Sequence, residues 1–511
     1  MVGEVRSFLL YAYVTLLLLL SVFGAHRYYL MHLYRKYKNK RPVPSRLFDV
    51  LPVVTIQLPI FNEKYVIRRL IEAVSSLRYP RDRLEIQVLD DSTDETSVIA
   101  ACECEKVRAR GIDIKYIHRD DRTGFKAGAL ENGLKTACGE FIAIFDADFL
   151  PDPDFLEKTI HYFTDPRVGM VQARWDHLNR NWSVLTESQS ILLDGHFMIE
   201  HTARNRSGCF FNFNGTAGIW RKSAIADAGG WHHDTLTEDS DLSYRAQLRG
   251  WQFIYLPEVT VPAELPVEFS SFKSQQFRWT KGSVQVFLKL YSAILRAAVP
   301  WRVKVEAFFH LGSNFAYLLM LFFCLLLPTN IILRSRRGLE EVFLFDVPVF
   351  VLATISVMIF YFFAEVVVIE ETRSVAHRSK LSPLVYLPVA MAVGIGLTVN
   401  NAQAVIEALL RKKTPFVRTP KYDVTERCSQ KSRIYRSFSN TYRSKSFTWV
   451  TITELFFAAY FSYAIYFAFY SSLWVSIPFL MLFQGGFLYT SFASLFEKPL
   501  AHLWRRVHSA R

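Results

Sequence analysis

The sequence predicts an α/β domain with a doubly wound sheet, inserted between membrane-spanning helices. Two observations indicate this architecture. Long apolar stretches lie at both ends of the 511-residue chain, and each is long enough to cross a bilayer. Between residues 34 and 300, strand-like and helix-like segments alternate, and such alternation is typical of a parallel doubly wound sheet.

The first apolar stretch, residues 8–33, is too long and too aromatic for a cleaved signal peptide. The basic segment "RKYKNKR" follows it directly, so the positive-inside rule puts this end, and the domain behind it, in the cytoplasm. Further apolar stretches lie near residues 306–333, 345–369, 383–410, 448–471 and 473–495. The stretch 383–410 ends in an amphipathic part, so we expect it to be kinked, re-entrant or interfacial, which leaves five spans.

The charge composition indicates which class of partner this protein binds. A net charge of +13 would attract nucleic acid in a soluble protein, but much of it flanks the apolar stretches. Lipid headgroups are therefore the expected partner of these charges, and nucleic acid is not. The six cysteines fit a reducing compartment.

The soluble part contains four strand-like runs, separated by helix-like segments. The predicted strands are 53–61, 84–89, 112–118 and 140–145, and the predicted helices are 63–78, 94–110 and 124–137. Because these strands are almost continuously apolar, we expect a sheet that is covered on both faces.

Two of these strands end in paired acids. "VLDDS" places Asp90 and Asp91 after the second strand, and "FDAD" places Asp146 and Asp148 after the fourth. Ligands of open α/β sheets bind beyond the carboxyl ends of the strands. Carboxylates that converge there repel each other unless a cation joins them, and Mg²⁺ or Mn²⁺ carrying phosphate oxygens suits such ligands. The alternative is that these acids are turn residues or helix caps.

A third acidic cluster, "TEDSDL", contains Glu238 and Asp239 at the start of a helix-like segment. Capping could account for Ser240 or Asp241, but not for all of the acids. The remaining acids are therefore candidates for general acid–base chemistry.

The segment "QQFRW" has helical periodicity and places Gln275, Arg278 and Trp279 on one face. An arginine there can bind phosphate, and a tryptophan can stack on a flat or apolar ligand. The alternative is an interfacial amphipathic helix whose lysines, Lys273, Lys281 and Lys289, meet lipid headgroups.

The ordered motifs "LPIFNE", "VLDDS", "FKAGAL", "FDADF", "NGTAGIWR", "TEDSDLSYRAQLRGW" and "QQFRW" resemble those of membrane-embedded, processive family 2 glycosyltransferases. In particular, they resemble the cellulose-synthase-like group that makes β-linked mannan, glucomannan or glucan. The resemblance implies a GT-A-type domain at residues 41–265, after a transmembrane helix at 1–40. Interfacial helices with the Q-x-x-R-W motif would occupy 266–305. A C-terminal transmembrane region would occupy 306–511 and contain a gating-type loop at 411–447.

The resemblance also implies roles for individual residues. Those implied to contact the nucleotide sugar are Asn62, Glu63, Asp90, Asp91, Lys126, Asp146 and Asp148. Within this set, Asp146 and Asp148 would hold the metal. Asp239 would be the general base that deprotonates the attacking sugar hydroxyl, with Glu238 as the second choice. A single in-line displacement would then invert an α-linked donor to a β-linkage. Gln275, Arg278 and Trp279 would bind the diphosphate and the acceptor sugar, above the segment Asn214, Gly215 and Thr216. Cellulose synthases have a cysteine in that segment, whereas this chain has "FNGTAG".

The segment "TPFVRTPKYD" resembles the gating loop of cellulose synthases, through Phe416, Thr419 and Lys421. It departs from that pattern at Arg418 and Tyr422, where the cellulose enzymes carry valine and glycine, so its closure is expected to differ in detail. The alternative is an ordinary basic loop.

The sequence therefore predicts a metal-dependent, inverting hexosyltransferase in a multi-pass membrane protein. Its donor would be UDP-glucose or GDP-mannose, and its product a β-linked, preferably β-1,4, polysaccharide that crosses the membrane, with accessory translocation or regulatory proteins as further partners. One alternative is a single transfer to a lipid acceptor, and another is a nucleotide-binding transporter without transferase activity. No segment resembles a plant targeting signal, so we expect a bacterial plasma membrane.

Overall fold

The computed structural model describes residues 2–334, 347–371, 382–414, 416–424 and 449–509. The strands are β1 Val54–Ile60, β2 Leu84–Asp90, β3 Asp113–His118, β4 Phe141–Ile144, β5 Val168–His177, β6 Gly218–Arg221 and β7 Gln252–Ala263. The helices before and within the domain are α1 Val2–Tyr37, α2 Ile67–Ser75, α3 Thr96–Arg108, α4 Phe125–Leu134, α5 Phe155–Thr159, α6 Val184–Asp194, α7 Thr202–Ser207, α8 Lys222–Asp227 and α9 Glu238–Leu248. A π-helix, Gly195–His201, joins α6 to α7.

The later helices are α10 Phe269–Arg296, α11 Trp301–Gly312, α12 Phe315–Arg334, α13 Val347–Glu371, α14 Ser382–Gly396, α15 Thr398–Leu409, α16 Trp449–Tyr470 and α17 Ile477–Ser509. Short 3₁₀ turns occur at Arg81–Arg83, Ile160–Thr164, Arg180–Trp182 and Trp474–Ser476. Helix α2 begins later than the predicted helix at 63–78. The reason is local: Asn62 has φ +55, a left-handed conformation that separates the end of β1 from the helix.

The strands form one seven-stranded sheet in the order β3-β2-β1-β4-β6-β5-β7. The four strands predicted from the sequence pair in parallel, as expected. The sequence did not predict β6, which runs antiparallel between β4 and β5. The sheet is therefore mixed, and β7 extends it in parallel beside β5.

Apolar side chains cover both faces of the sheet, as the apolar strands predicted. On one face, Leu70 of α2 and Cys104 of α3 pack against the strands. On the other face, Leu130 of α4 and Leu242 of α9 do so. Burial on both faces holds the strand ends at one common edge, where the predicted acids lie.

Among the residues that the structure describes, four helical segments are long and apolar enough to cross a membrane: Ser7–Tyr37, Phe315–Ile332, Trp449–Tyr470 and Trp474–Phe496. A fifth candidate is the pair Val385–Gly396 and Thr398–Leu409, which is bent by 42°. This bend agrees with the kink expected within residues 383–410. Helix α13 covers the expected span at 345–369, and its crossing of the membrane stays a prediction.

Helix α10 joins the domain to the apolar helices. On one side, its Val286 and Leu290 pack with Tyr244 of α9. On the other side, its Val284 packs with Val405 of α15. The residues that the sequence predicted on α10 therefore lie between the sheet domain and the membrane helices.

The alternative interpretation of α10 required its lysines to present their ammonium groups to lipid headgroups. In the structure these ammonium groups contact carboxylates of the protein instead. Lys273 Nζ lies 2.8 Å from Glu454, and Lys281 Nζ lies 2.9 Å from Glu407. Lys289 Nζ lies 2.7 Å from Asp234. Each lysine thus pairs with a carboxylate of another element, which explains why a helix with this charge pattern packs inside the protein.

Candidate active site

A cavity of about 230 Å³ opens at the carboxyl ends of the strands. Most of the residues that the sequence predicted for a site line this one cavity. They are Glu63, Asp91, Lys126, Asp146, Asp148, Asn214, Gly215, Glu238, Asp239, Gln275, Arg278, Trp279, Phe416, Thr419 and Lys421. The fold thus brings together residues that are more than 350 positions apart in the sequence.

Asp90, Asn62 and Thr216 are not among the residues that line the cavity. The role of Asp90 at the nucleotide sugar stays a prediction. Its buried carboxylate accepts hydrogen bonds from the Ser92 N–H (3.0 Å) and the Tyr116 hydroxyl (2.7 Å). It also lies 3.0 Å from His118 Nδ1. Successive side chains of a strand point to opposite sides, so Asp90 and Asp91 diverge.

Asn62 and Thr216 hydrogen-bond to their neighbours, and their roles as contacts of the ligands stay predictions. The Asn62 N–H donates to Ser92 Oγ at 2.8 Å, and Asn62 Oδ1 accepts from the Thr93 N–H at 2.8 Å. Thr216 Oγ1 accepts a hydrogen bond of 2.8 Å from the backbone N–H of Asp146. Both residues fix the backbone from which cavity residues project.

The two acids that follow β4 are each paired with a lysine. Lys126 Nζ contacts Asp146 Oδ1 and donates to the Gly215 carbonyl at 2.9 Å. Lys421 Nζ lies 2.7 Å from Asp148 Oδ2. Burial raises the pKa of Asp146, although Lys126 opposes this. Burial alone would lower the pKa of Lys126, but Asp146 and the nearby acids raise it overall, so Lys126 is an ammonium at neutral pH.

The donor set of Asp146 and Asp148 fits a divalent cation. Both carboxylates reach the same cavity, and carboxylate oxygens are ligands that Mg²⁺ and Mn²⁺ prefer. In the described part of the chain, a second group with suitable ligand atoms is formed by His232, Asp234 and Asp241.

That second group is a weaker candidate for a metal in the cavity, because none of its three residues is among those that line the cavity. Lys289 Nζ lies 2.7 Å from Asp234 and 2.9 Å from Asp241, and it lies 3.2 Å from His232 Nδ1. The pair after β4 lines the cavity and is therefore the better candidate.

The acids of the "TED" segment open helix α9 inside the cavity. Asp239 Oδ1 accepts a 2.7 Å hydrogen bond from the Ser240 N–H. A Cβ atom at Gly215 would lie 3.0 Å from Asp239 Oδ2, so the glycine leaves this oxygen accessible. Burial, and next the charge of Glu238, raises the pKa of Asp239 to about 8. A carboxylate with a raised pKa is a better proton acceptor near neutral pH.

Helix α10 contributes a cation and an aromatic ring to the same cavity. Arg278 Nη2 lies 3.1 Å from Thr419 Oγ1, and its guanidinium lies 4.9 Å from the ring centre of Phe416. Burial lowers the pKa of Arg278 to about 10, so it keeps its charge at neutral pH. The ring of Trp279 lies 6.4 Å from that of Trp175.

Residues 416–424 cover the cavity. Arg418 Nη1 lies 2.5 Å from Glu63 Oε1, and burial raises the pKa of Glu63 to about 7 despite this arginine. The ring of Phe416 lies 5.7 Å from that of Phe125. The remainder of the predicted gating-type loop, Pro415 and residues 425–447, lies outside the described residues.

Sequence reasoning missed Glu264, which anchors this loop to the domain. Its Oε1 accepts from the Tyr422 N–H at 2.8 Å, and its Oε2 accepts from the Val424 N–H at 3.1 Å. Arg69 Nη2 lies 3.0 Å from the same carboxylate. Glu264 follows β7 in "PAELP", without a motif that could have identified it; only its position after a strand end gave any signal.

Residues 52–282 match the family described as "Glycosyltransferase like family 2". Glucomannan 4-beta-mannosyltransferase 2 from Arabidopsis thaliana is 43% identical over 297 residues, which are 56% of this chain and 55% of that relative. Glucomannan 4-beta-mannosyltransferase 1 from Oryza sativa subsp. japonica is 43% identical over 301 residues, 57% of each chain. The chain thus spans little more than half the length of these relatives.

Among solved structures, the mannosyltransferase PcManGT from Pyrobaculum calidifontis, in complex with GDP-Man and Mn²⁺, shares the fold. Its TM-score is 0.50 at 20% identity, and the match covers 78% of this chain and 100% of that chain. The sheet is therefore of the GT-A-like mixed α/β type.

Fold and sequence together define a glycosyltransferase domain. Residues 52–282 of this chain match glycosyltransferase family 2, and the relatives similar to this chain include the glucomannan 4-beta-mannosyltransferases. This confirms the resemblance given by the motifs. Both of these relatives come from plants, so the expectation of a bacterial membrane has no support from them.

Proposed function

We propose that this chain is an inverting, metal-dependent glycosyltransferase that extends a β-1,4-linked mannan or glucomannan from GDP-mannose. The observation that carries the proposal is the single cavity that holds Asp239, the pair Asp146 and Asp148, and Arg278 with Trp279. A proton acceptor, a cation site and a phosphate-binding arginine are the groups that this transfer requires.

In the proposed reaction, Asp239 accepts the proton of the acceptor hydroxyl, and the oxygen of this hydroxyl bonds to the anomeric carbon of the donor. The bond between that carbon and the diphosphate breaks, and GDP leaves with the electron pair. Arg278 neutralises part of the charge on the leaving oxygens. Because there is one displacement, an α-linked donor yields a β-linked product.

Asp146 and Asp148 would hold Mg²⁺ or Mn²⁺, which would offset the negative charge of the diphosphate. Lys126 contributes from the protein side: it contacts Asp146 and keeps this carboxylate oriented toward the cavity. Thr216 supports the same residue through its backbone N–H. The other predicted contacts, Glu63 and Asp91, would face the nucleoside.

GDP-mannose is favoured over UDP-glucose because the relatives named above are mannosyltransferases and the solved structure of shared fold binds GDP-Man. Both lines of support concern other proteins. The identity of the donor therefore needs a direct measurement in which UDP-glucose is the competing substrate.

A polymer extended in this cavity would leave through the adjoining helices. Helix α10 contributes Trp279 to the cavity and packs against α15 of the apolar region, so the cavity adjoins the expected transmembrane part. We propose that the domain at 41–265 is cytoplasmic, that α10 is interfacial, and that the region 306–511 carries the product across the bilayer. Accessory proteins could complete this path or regulate it.

A single transfer to a lipid acceptor is the second candidate, since the same cavity lies beside apolar helices. Product length separates the two functions. A transporter that only binds nucleotide would need neither a base such as Asp239 nor a metal pair.

The experiment supplies membranes that contain the full chain with radiolabelled GDP-mannose or UDP-glucose, with Mg²⁺ or Mn²⁺, and with or without EDTA. We expect a mannose-containing polymer from GDP-mannose, its loss with EDTA, and its recovery when metal is restored in excess; linkage analysis should give β-1,4 bonds. Label found only in short lipid-soluble products would support the lipid-acceptor function. No release of nucleoside diphosphate from either donor would contradict the transferase function.

A further inference from the structure

The cavity has a second side that the predicted motifs only partly cover. Next to Trp279 it is lined by Trp175 and His177 at the end of β5, by Leu193 of α6 and by Asn214. Because side chains alternate along a strand, Trp175 and His177 project to the same side of β5. Aromatic surfaces with a few hydrogen-bonding groups are typical of pockets that bind a sugar ring.

His177 is held by a carboxylate behind it. Its Nε2 lies 3.1 Å from Asp194 Oδ1, and the side chains are only 3% and 1% exposed. Burial alone would raise the pKa of Asp194, but Arg180 and His177 lower it overall, so Asp194 is ionised. An ionised carboxylate only accepts hydrogen bonds, and this assigns the proton to Nε2 of the imidazole.

With Nε2 donating to Asp194, Nδ1 of His177 is the nitrogen of the ring that can accept a hydrogen bond. Arg180 holds the other oxygen of Asp194, since its Nη1 lies 2.5 Å from Oδ2. None of the hydrogen bonds among the described residues involves Nδ1 of His177. The buried indole Nε1 of Trp175 also has no hydrogen-bond partner in the described part of the structure.

The orientation of this histidine is fixed by contacts that continue away from the cavity. Arg180 Nη2 lies 2.7 Å from Glu365 Oε2 of α13, and Glu365 is 1% exposed. His177, Asp194, Arg180 and Glu365 thus form a continuous chain of polar contacts from the cavity wall to an apolar helix. Such a chain holds the imidazole ring in one orientation.

We propose that His177 binds the acceptor: its Nδ1 accepts a hydrogen bond from a hydroxyl of the acceptor sugar, while Trp175 and Trp279 provide the apolar faces beside it. Asp194 is the positioning residue, because it selects the tautomer that leaves Nδ1 as an acceptor. No covalent bond changes at His177. The inference rests on the proposed function, since it requires a sugar acceptor in the cavity with Asp239.

The test uses the full-length protein in detergent, with GDP-mannose as donor and β-1,4-linked manno-oligosaccharides as acceptors. In His177→Phe, which keeps a ring but removes the acceptor nitrogen, we expect the acceptor KM to rise about 3- to 10-fold, as the loss of one hydrogen bond implies. The affinity for GDP-mannose should stay within about twofold of wild type. His177→Asn, whose amide oxygen can replace Nδ1, should restore most of the acceptor affinity.

Asp194→Asn should raise the acceptor KM in the same direction, because an amide N–H can donate to Nε2 and so favour the tautomer in which Nδ1 carries the proton. His161→Phe is the matched control: His161 Nδ1 accepts from the Phe48 N–H at 3.1 Å, outside the cavity lining, and its loss should leave the acceptor KM unchanged.

An unchanged acceptor KM in His177→Phe would overturn the inference. So would an equal loss of donor affinity and acceptor affinity in both His177→Phe and His177→Asn, which would indicate a merely structural role. If His177→Phe does not fold, Asp194→Asn decides: a rise in the acceptor KM with wild-type donor affinity supports the inference, and an unchanged acceptor KM overturns it. Failure of the wild-type protein to transfer mannose would instead contradict the proposed function.

Discussion

Lys421 Nζ lies 2.7 Å from Asp148 Oδ2, so a residue of the loop 416–424 neutralises one of the two carboxylates proposed to hold a metal. Lys126 contacts the other, Asp146. A divalent cation and an ammonium repel each other at one carboxylate. The ammonium of Lys421 and a divalent cation therefore compete for the carboxylate of Asp148.

This competition predicts a change in the metal requirement. In Lys421→Met, the concentration of Mn²⁺ that gives half-maximal activity should fall several-fold, because Asp148 no longer has an ammonium partner. The maximal rate should fall as well if Lys421 moves to the diphosphate during turnover. Metal titrations of initial rates measure both quantities. Lys158→Met, which removes a surface ion pair with Asp154, is the control, and an equal or higher Mn²⁺ requirement in Lys421→Met would count against competition.

A second prediction concerns the base. Asp239→Asn keeps the shape of the side chain but removes the proton acceptor, so turnover should fall about 10²- to 10⁴-fold. GDP-mannose should still bind, because the residues proposed for the diphosphate are unchanged; equilibrium binding of the donor checks this. Near-normal turnover in this variant would reject Asp239 as the base.

The pH dependence gives a third prediction. Burial and Glu238 raise the pKa of Asp239 to about 8, and the reaction needs the deprotonated form, so kcat/KM should rise with pH up to about 8. Glu238→Gln removes a negative neighbour and should move this rise to lower pH. Lys126→Gln removes a positive neighbour and should move it to higher pH.

These opposite shifts form a matched pair, because both variants replace a charged cavity residue with the same amide. The comparison uses the pH at which kcat/KM rises. It does not use the maximal kcat/KM, because Lys126 also contacts Asp146 and its loss would change that value for another reason. Shifts in the same direction in both variants would contradict the assignment of the titrating group. Complete inactivity of Glu238→Gln would identify Glu238 as the base instead.

The first four strands and the acids at their ends were predicted well from the sequence. Strand-like and helix-like segments alternate there, and this alternation gives parallel strands whose carboxyl ends lie at one edge of the sheet. The sequence could not determine to which side of the sheet the Asp90 side chain points. Asp90 is the last residue of β2, and side chains point alternately to the two sides of a strand. Strand β6 was also missed: it has four residues, Gly218–Arg221, and so shows little periodicity.

Contacts between distant segments were beyond the sequence for another reason. Glu264 binds the backbone of Tyr422, and Arg69 pairs with Asp423 at 2.7 Å. Neither pair shares a periodic pattern or a motif, and only the packed fold brings these residues together. The same holds for His177, whose partner Asp194 lies in a different element.

The last prediction follows from the close approach of α10 to the segment that carries the acids. Gly282 lies on α10, and a Cβ atom there would lie 2.5 Å from Cγ2 and 2.9 Å from the backbone N of Thr237. Thr237 immediately precedes Glu238 and Asp239. In Gly282→Ala, this segment has to move away from α10, and a displacement of about 1 Å at a reacting group costs roughly 10²-fold in rate.

We therefore expect Gly282→Ala to lower kcat by at least about 10-fold, with GDP-mannose affinity close to wild type. Thermal stability should change little, because alanine favours a helix over glycine by about 1 kcal/mol, which offsets part of the clash. Gly485→Ala in α17 is the control, since a Cβ atom there meets nothing within 4 Å, and its activity should equal wild type. Equal kcat values in the two variants would show that the segment yields without moving Asp239, and the proposed positioning of the base by α10 would then be wrong.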